Sequence, residues 1–163
     1  MLKIKIYPDP ILREKCQPVP GTTKELKKLS QDMLQTMYAN RGVGLAAPQV
    51  GRRERLIVVD VGEGPVKLLN PKIISSRGAV RGEEGCLSLP GIFVKVKRSK
   101  NIEIKGLSPD TGELIKIEAE NLLARALQHE VNHLDGILII DMVSLWQKWL
   151  IKKKLKELAK ERE

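Results

Sequence analysis

The chain has 163 residues, 42% of them hydrophobic and 30% charged, and carries a formal net charge of +9. That length buries enough apolar surface for one globular domain spanning 1–163, and no repeat or low-complexity linker divides it. The longest apolar runs, Leu56-Ile57-Val58-Val59 and Ile137 to Ile140, fall far short of the roughly 20 residues that cross a bilayer. Met1 to Ile6 alternates charge with apolarity, unlike a signal peptide, so a cytoplasmic protein without membrane association is expected. In a reducing compartment the two cysteines, Cys16 and Cys86, read as free thiols or metal thiolates rather than a disulfide.

Taken in chain order, Thr22 followed by Glu25 makes a capping-box pattern, and Thr23 to Asn40 reads as an amphipathic helix stopped at Arg41-Gly42. The run Gly42-Val43-Gly44-Leu45-Ala46-Ala47-Pro48-Gln49 lacks the Lys-Ser/Thr ending of a phosphate loop; its small residues suit either a tight turn or close approach of backbone to a ligand. Arg55 to Val61 and Val66 to Leu69 read as strands, with Pro71 ending the second. Phe93 to Lys97, Ile102 to Leu107 and Leu114 to Glu118 alternate apolar and polar residues, and Ser108-Pro109-Asp110-Thr111-Gly112 turns the last two into a hairpin. A helix from Glu120 to Asp135 follows, with Gly136 placed to end it. The predicted class is α+β: mostly antiparallel sheet around this central helix, one helix in the N-terminal half and an amphipathic helix at the C-terminal end.

Ser144 with Gln147 makes a second capping box, and Leu145, Trp149, Lys152 and Lys156 divide the terminal helix between core and solvent. Its basic run, Lys152 to Lys156, fits a solvated helix face and equally a contact with ribosomal or other RNA; nothing in it marks sequence-specific reading of DNA.

The chemistry concentrates in Gln128-His129-Glu130-Val131-Asn132-His133. On a helix, His129 and His133 project from one face a turn apart and reach one cation together, with the Glu130 carboxylate beside them. Spacing alone leaves the third ligand open. It fits a metallopeptidase, and also a basic binding module with a closed structural metal site that recruits a fourth protein ligand, for which Cys16 is the spare cysteine. Cys16 otherwise sits in an irregular segment and reads as incidental.

Gly42 to Gln49, Glu84-Gly85-Cys86-Leu87-Ser88 and Gln128 to His133, in this order, resemble the three signature motifs of the peptide deformylases, and Asp9-Pro10-Ile11-Leu12-Arg13 extends the resemblance toward the start. The resemblance implies removal of the formyl group from N-formylmethionyl nascent peptides. It implies Cys86 as the third ligand beside His129 and His133, with one coordination place open, and ferrous iron as the native ion for which zinc, nickel or cobalt substitutes. Glu130 is then general base and general acid. The side-chain amide of Gln49 and the N–H of Leu87 donate to the oxyanion, and Val43, Gly44 and Gly85 offer backbone groups to an extended peptide. Leu122 and Ala126 line the pocket for the methionine side chain. Apart from the resemblance, Glu84 and Arg98 are expected to pair near the site. One residue departs from the pattern: Asn132 stands where the family usually carries Asp, which removes a charge while keeping an acceptor oxygen.

Overall fold

The computed structural model describes residues 1–161. Helix α1 spans Lys24–Ala39 and buries Leu26, Leu29, Met33 and Met37, a stripe at helical spacing. Its cap is Thr23 rather than Thr22: the Thr23 hydroxyl accepts from the Leu26 N–H at 3.1 Å, while Thr22 donates to the Pro109 carbonyl. Both hydroxyls fit the capping chemistry, and a tertiary partner takes the first.

Five strands form an antiparallel sheet in the order β1-β2-β3-β6-β7: β1 Gly44–Ala46, β2 Leu56–Val59, β3 Val66–Arg77, β6 Asn101–Leu107 and β7 Leu114–Glu120. β4 (Val80–Cys86) and β5 (Leu89–Arg98) make a separate two-stranded antiparallel sheet. Pro71 does not end β3. The ladder to β6 shifts register between Leu69 and Lys72, with Asn70 at φ +50°, so the proline falls where no ladder N–H is needed. β4 carries none of the alternation that marks a half-buried strand, since Val80-Arg81-Gly82-Glu83-Glu84-Gly85-Cys86 is polar or glycine at five of its positions.

Helix α2, Asn121–Leu134, packs Ala124, Ala126, Leu127 and Leu134 against the five-stranded sheet together with Ile57, Leu68 and Ile104. Gly136 follows at φ +73°, in the left-handed conformation that ends a helix. The β5 residues Leu89, Ile92, Val94 and Val96 belong to a second apolar cluster with Leu138, Ile139, Ile140, Ile151 and Leu158.

Helix α3 spans Leu145–Lys160, and the Ser144 hydroxyl accepts from the Gln147 N–H at 3.2 Å. The Gln147 side chain does not close a capping box; its amide pairs with both backbone groups of Lys95 on the β5 edge, at 2.9 and 3.2 Å. This docking turns Ile151 and Leu158 inward and leaves Leu145 and Trp149 outside, 84% and 65% exposed, opposite to the core role predicted for them. Trp149 instead stacks on Trp146 with ring centroids 5.5 Å apart. Among the described residues, no helix is long and apolar enough to cross a membrane.

Candidate active site

Two elements bring the ligand-type side chains together: Cys86 ends β4, and His129 and His133 lie one turn apart on α2. One donor atom from each lies within 4.8 Å of the others. The two Nε2 atoms are 3.2 Å apart, and His133 Nε2 is 3.4 Å from Cys86 Sγ. Ion–nitrogen bonds of about 2.0–2.1 Å and an ion–sulfur bond of about 2.3 Å at tetrahedral angles would separate such donors by about 3.3 and 3.6 Å. The donor set therefore fits one ion of that kind.

The electrostatics agree with this. Burial holds the His133 ring neutral, its pKa well below the ordinary value. On His129 the same burial penalty is outweighed by hydrogen bonds to Cys86 and Glu84, which push its pKa up to about 10. A cation held by these donors would take the place of that positive charge, and binding it requires a thiolate and neutral rings. Glu84 fixes which His129 nitrogen faces the cluster: its Oε1 lies 2.8 Å from His129 Nδ1, leaving Nε2 for the ligand position.

Glu84 itself is a buried hub. Arg98 grips both its oxygens through two bonds of 2.9 Å, and Arg125 Nη1 shares Oε2 at 2.6 Å. Burial opposes charge on this carboxyl, but the bonds from His129 and Arg98 win and hold its pKa at about 2. Arg98 also donates to the Asn132 side-chain oxygen. Asn132 thus keeps the acceptor at this position but not a negative charge, so Glu84 is the carboxylate that pairs with both guanidiniums.

Glu130 lies beside the ligands, its Oε1 4.0 Å from His129 Nε2. The carboxyl is buried, its Oε2 finds no hydrogen-bond partner among the described residues, and burial pushes its pKa up to about 7. Gly44 packs directly on it: a Cβ there would stand 2.4 Å from Glu130 Oε1.

Gln49 sits on the short 3-10 turn Ala47–Val50, almost fully buried. Its Oε1 accepts from the Ala46 N–H at 2.9 Å, so its amide nitrogen must point inward, where Nε2 lies 3.1 Å from Ser88 Oγ and 3.5 Å from Cys86 Sγ. Leu87 follows Cys86 in the turn between β4 and β5.

A cleft of about 650 Å³ opens over these groups. Every predicted site residue except His133 lines it: Val43, Gly44, Gln49, Gly85, Cys86, Leu87, Leu122, Ala126, His129 and Glu130. His133, 1% exposed, lies beneath. β1 is an edge strand of the larger sheet and β4 belongs to a two-stranded one, so the cleft runs between two strands with an unpaired side. The Val43 carbonyl accepts from the Asp60 N–H at 2.8 Å. A larger depression of about 850 Å³, bordered by Glu63, Glu103, Glu118 and Glu120, shares only Leu122 with the cleft and holds none of the ligand residues.

Sequence reasoning missed Ser88, Phe93 and Arg125. Ser88 lies within the second motif, two residues after Cys86, which was its one signal; Phe93 enters the cleft wall from β5 through the β4–β5 pairing, and Arg125 enters it from α2 between Leu122 and Ala126. Cys16 is not near the ligands: it packs in the apolar cluster with Leu134, and its N–H donates to the Leu134 carbonyl at 2.8 Å. A closed site completed by Cys16 is therefore ruled out.

The family described as polypeptide deformylase matches residues 1–149. The chain is 48% identical over 161 residues to the peptide deformylase of Thermodesulfovibrio yellowstonii, covering 96% of this chain and 97% of that one. It is 50% identical over 164 residues to the peptide deformylase of Hydrogenovibrio crunogenus, covering 98% and 96%. The crystal structure of peptide deformylase from Thermus thermophilus superposes with a TM-score of 0.93 at 37% identity, covering all of both chains. A match that runs through the ligand triad, the buried carboxyl and the cleft at this identity and coverage means that the chain belongs to the peptide deformylase family.

Proposed function

We propose a division of labour among these residues for the deformylase reaction, the hydrolytic removal of the N-terminal formyl group from formylmethionine of nascent peptides with release of formate. The observation that carries it is the buried Glu130 carboxyl, with one oxygen unpartnered, beside the Cys86, His129 and His133 donors at the floor of a cleft between two strand edges.

Cys86, His129 and His133 hold one divalent ion, Fe2+ in the native state, with Zn2+, Ni2+ or Co2+ able to substitute; a nitrogen and sulfur donor set suits these ions better than magnesium or calcium. When bound, the ion supplies Lewis acidity that polarises the formyl carbonyl and activates a water. Glu130 takes a proton from the attacking water and passes a proton to the departing amine. Gln49 Nε2 keeps one N–H for Ser88 and turns the other toward the Cys86 side, where it and the Leu87 N–H donate to the developing oxyanion. The peptide lies as an added strand against the Val43–Gly44 and Gly85 backbones, and Leu122 and Ala126 form part of the wall around the methionine side chain.

Residues 1–163 act as one catalytic domain in the cytoplasm. The basic helix α3, with Lys152, Lys153, Lys154 and Lys156, contacts the ribosome and so raises the local concentration of nascent chains. The test is formate release by protein loaded anaerobically with defined metal, offered formyl-Met and acetyl-Met peptides. Formate from the formyl peptide with no cleavage of the acetyl peptide is expected. Equal rates, or no formate from metal-loaded protein, would overturn the assignment.

A further inference from the structure

The two halves of the ligand triad belong to different hydrophobic packings. The apolar residues of α2 pack into the cluster on the five-stranded sheet, whereas those of β5 pack into the cluster under α3, which Cys86 also touches. What joins α2 to the β4–β5 pair across this division is a polar seam. Gln128 exchanges two 2.9 Å bonds with the Ser99 backbone, Glu84 holds His129, and Arg98 reaches Asn132.

Arg125 is the member of this seam that reaches from α2 to both strands of the pair. It lies one turn before His129, and its guanidinium donates to Glu84 Oε2 at 2.6 Å, to the Val96 carbonyl at 3.0 Å and to the Val80 carbonyl at 2.8 Å. One side chain from the helix thereby grips both strands of the pair and the carboxylate that orients His129. The bay it occupies exists because residue 82 is glycine: a Cβ there would stand 3.0–3.1 Å from the guanidinium carbon and two of its nitrogens. The side chain is 12% exposed and also borders the substrate cleft.

We infer that Arg125 is a positioning residue that sets the spacing between Cys86 on β4 and the histidine pair on α2, and so governs how tightly the triad holds its ion. The inference rests on the assignment of Cys86, His129 and His133 as ligands under the proposed function. Neither apolar cluster fixes that spacing, because each stabilises one half of the triad without the other. A planar guanidinium with three partners in fixed directions does.

The test is the rate at which zinc-loaded protein releases zinc to an excess of chromogenic chelator, a readout independent of turnover. Arg125→Met keeps the side-chain stem and removes the three bonds; zinc release about 10-fold faster or more is expected, the scale on which partners of metal ligands act. KM for a formyl-Met peptide should change by less than the release rate does. Gly82→Ala, which crowds the guanidinium from the opposite strand and leaves Arg125 in place, should accelerate release in the same direction by a smaller factor, and it decides the question if Arg125→Met does not fold. Unchanged release in both variants overturns the inference: a raised KM would then make Arg125 only a wall of the cleft, and a lower melting temperature of the metal-free protein would make it only a support of the fold. Failure of the ligand assignment itself shows separately, as wild-type protein that takes up no zinc or as a Cys86→Ala variant with undiminished retention.

Discussion

Replacing Gly44 by alanine tests the closeness of backbone and carboxylate on which the proposed proton transfers depend. Gly44 pairs with Val59 in an ordinary antiparallel ladder, so alanine is compatible with the backbone there, and the only obstacle is steric. The new methyl would lie 2.4 Å from Glu130 Oε1 and 2.9 Å from its Cδ and Cγ, against the 3.4 Å at which ordinary contact begins. The carboxylate must therefore withdraw by about 1 Å. A displacement of about 1 Å in a group that transfers protons costs on the order of 100-fold in rate, or about 2.7 kcal/mol of barrier. Crowding a packed interior adds about 1–3 kcal/mol of destabilisation. The assay is formate release at saturating formyl-Met peptide, with metal content measured on the same sample and stability by urea titration. A kcat within about twofold of wild type at equal metal content would refute the reasoning, because Glu130 would then not need the position it holds.

Glu84→Gln keeps the shape of the hub and removes the charge opposite two largely buried guanidiniums; a loss of about 3–5 kcal/mol in urea denaturation is expected, and a loss below about 0.5 kcal/mol would show that the charges are solvated. Asp141 accepts from Arg13 and, at 2.8 Å, from the Leu138 N–H; burial opposes its charge, but these bonds hold its pKa below the usual 3.8. Because the folded value is the lower one, this stabilisation is complete above the unfolded pKa and lost as pH falls through the folded one. Asp141→Asn should therefore cost about 1 kcal/mol at neutral pH, the scale of a partly exposed pair, and the gap to wild type should close on acidification below 3.8; a gap that persists into acid would assign the effect to packing.

Much of the fold was legible because hydrophobic period and turn chemistry agree locally. Helices α1 and α2, the β6–β7 hairpin and the glycine after α2 all lie within a few residues of their predicted places. The errors have physical causes. β4 shows no alternation because its buried side chain is Glu84, which meets two guanidiniums and an imidazole rather than a hydrophobic core, so the strand that ends in Cys86 carries no strand pattern. β3 continues through Pro71 because a bulge with a left-handed Asn70 removes the need for its N–H. Periodicity alone turns Leu145 and Trp149 inward, whereas the bonds of Gln147 to the edge of β5 rotate the helix the other way. At the site, short-range spacing showed the histidines and Glu130, and the three ordered motifs added Cys86 and Gln49. The role of Arg125 was invisible because two of its three partners are backbone carbonyls, which no side-chain pattern records.

The most direct test of the account is formate release by Glu130→Gln protein loaded with the same metal as wild type. The amide keeps the shape of the side chain and removes its capacity to take a proton, and the ligand triad is untouched. Metal content equal to wild type with formate release lower by at least about 100-fold is the predicted result. Release within about tenfold of wild type at equal metal content would contradict the account, since the proton transfers would then have to be assigned to another group.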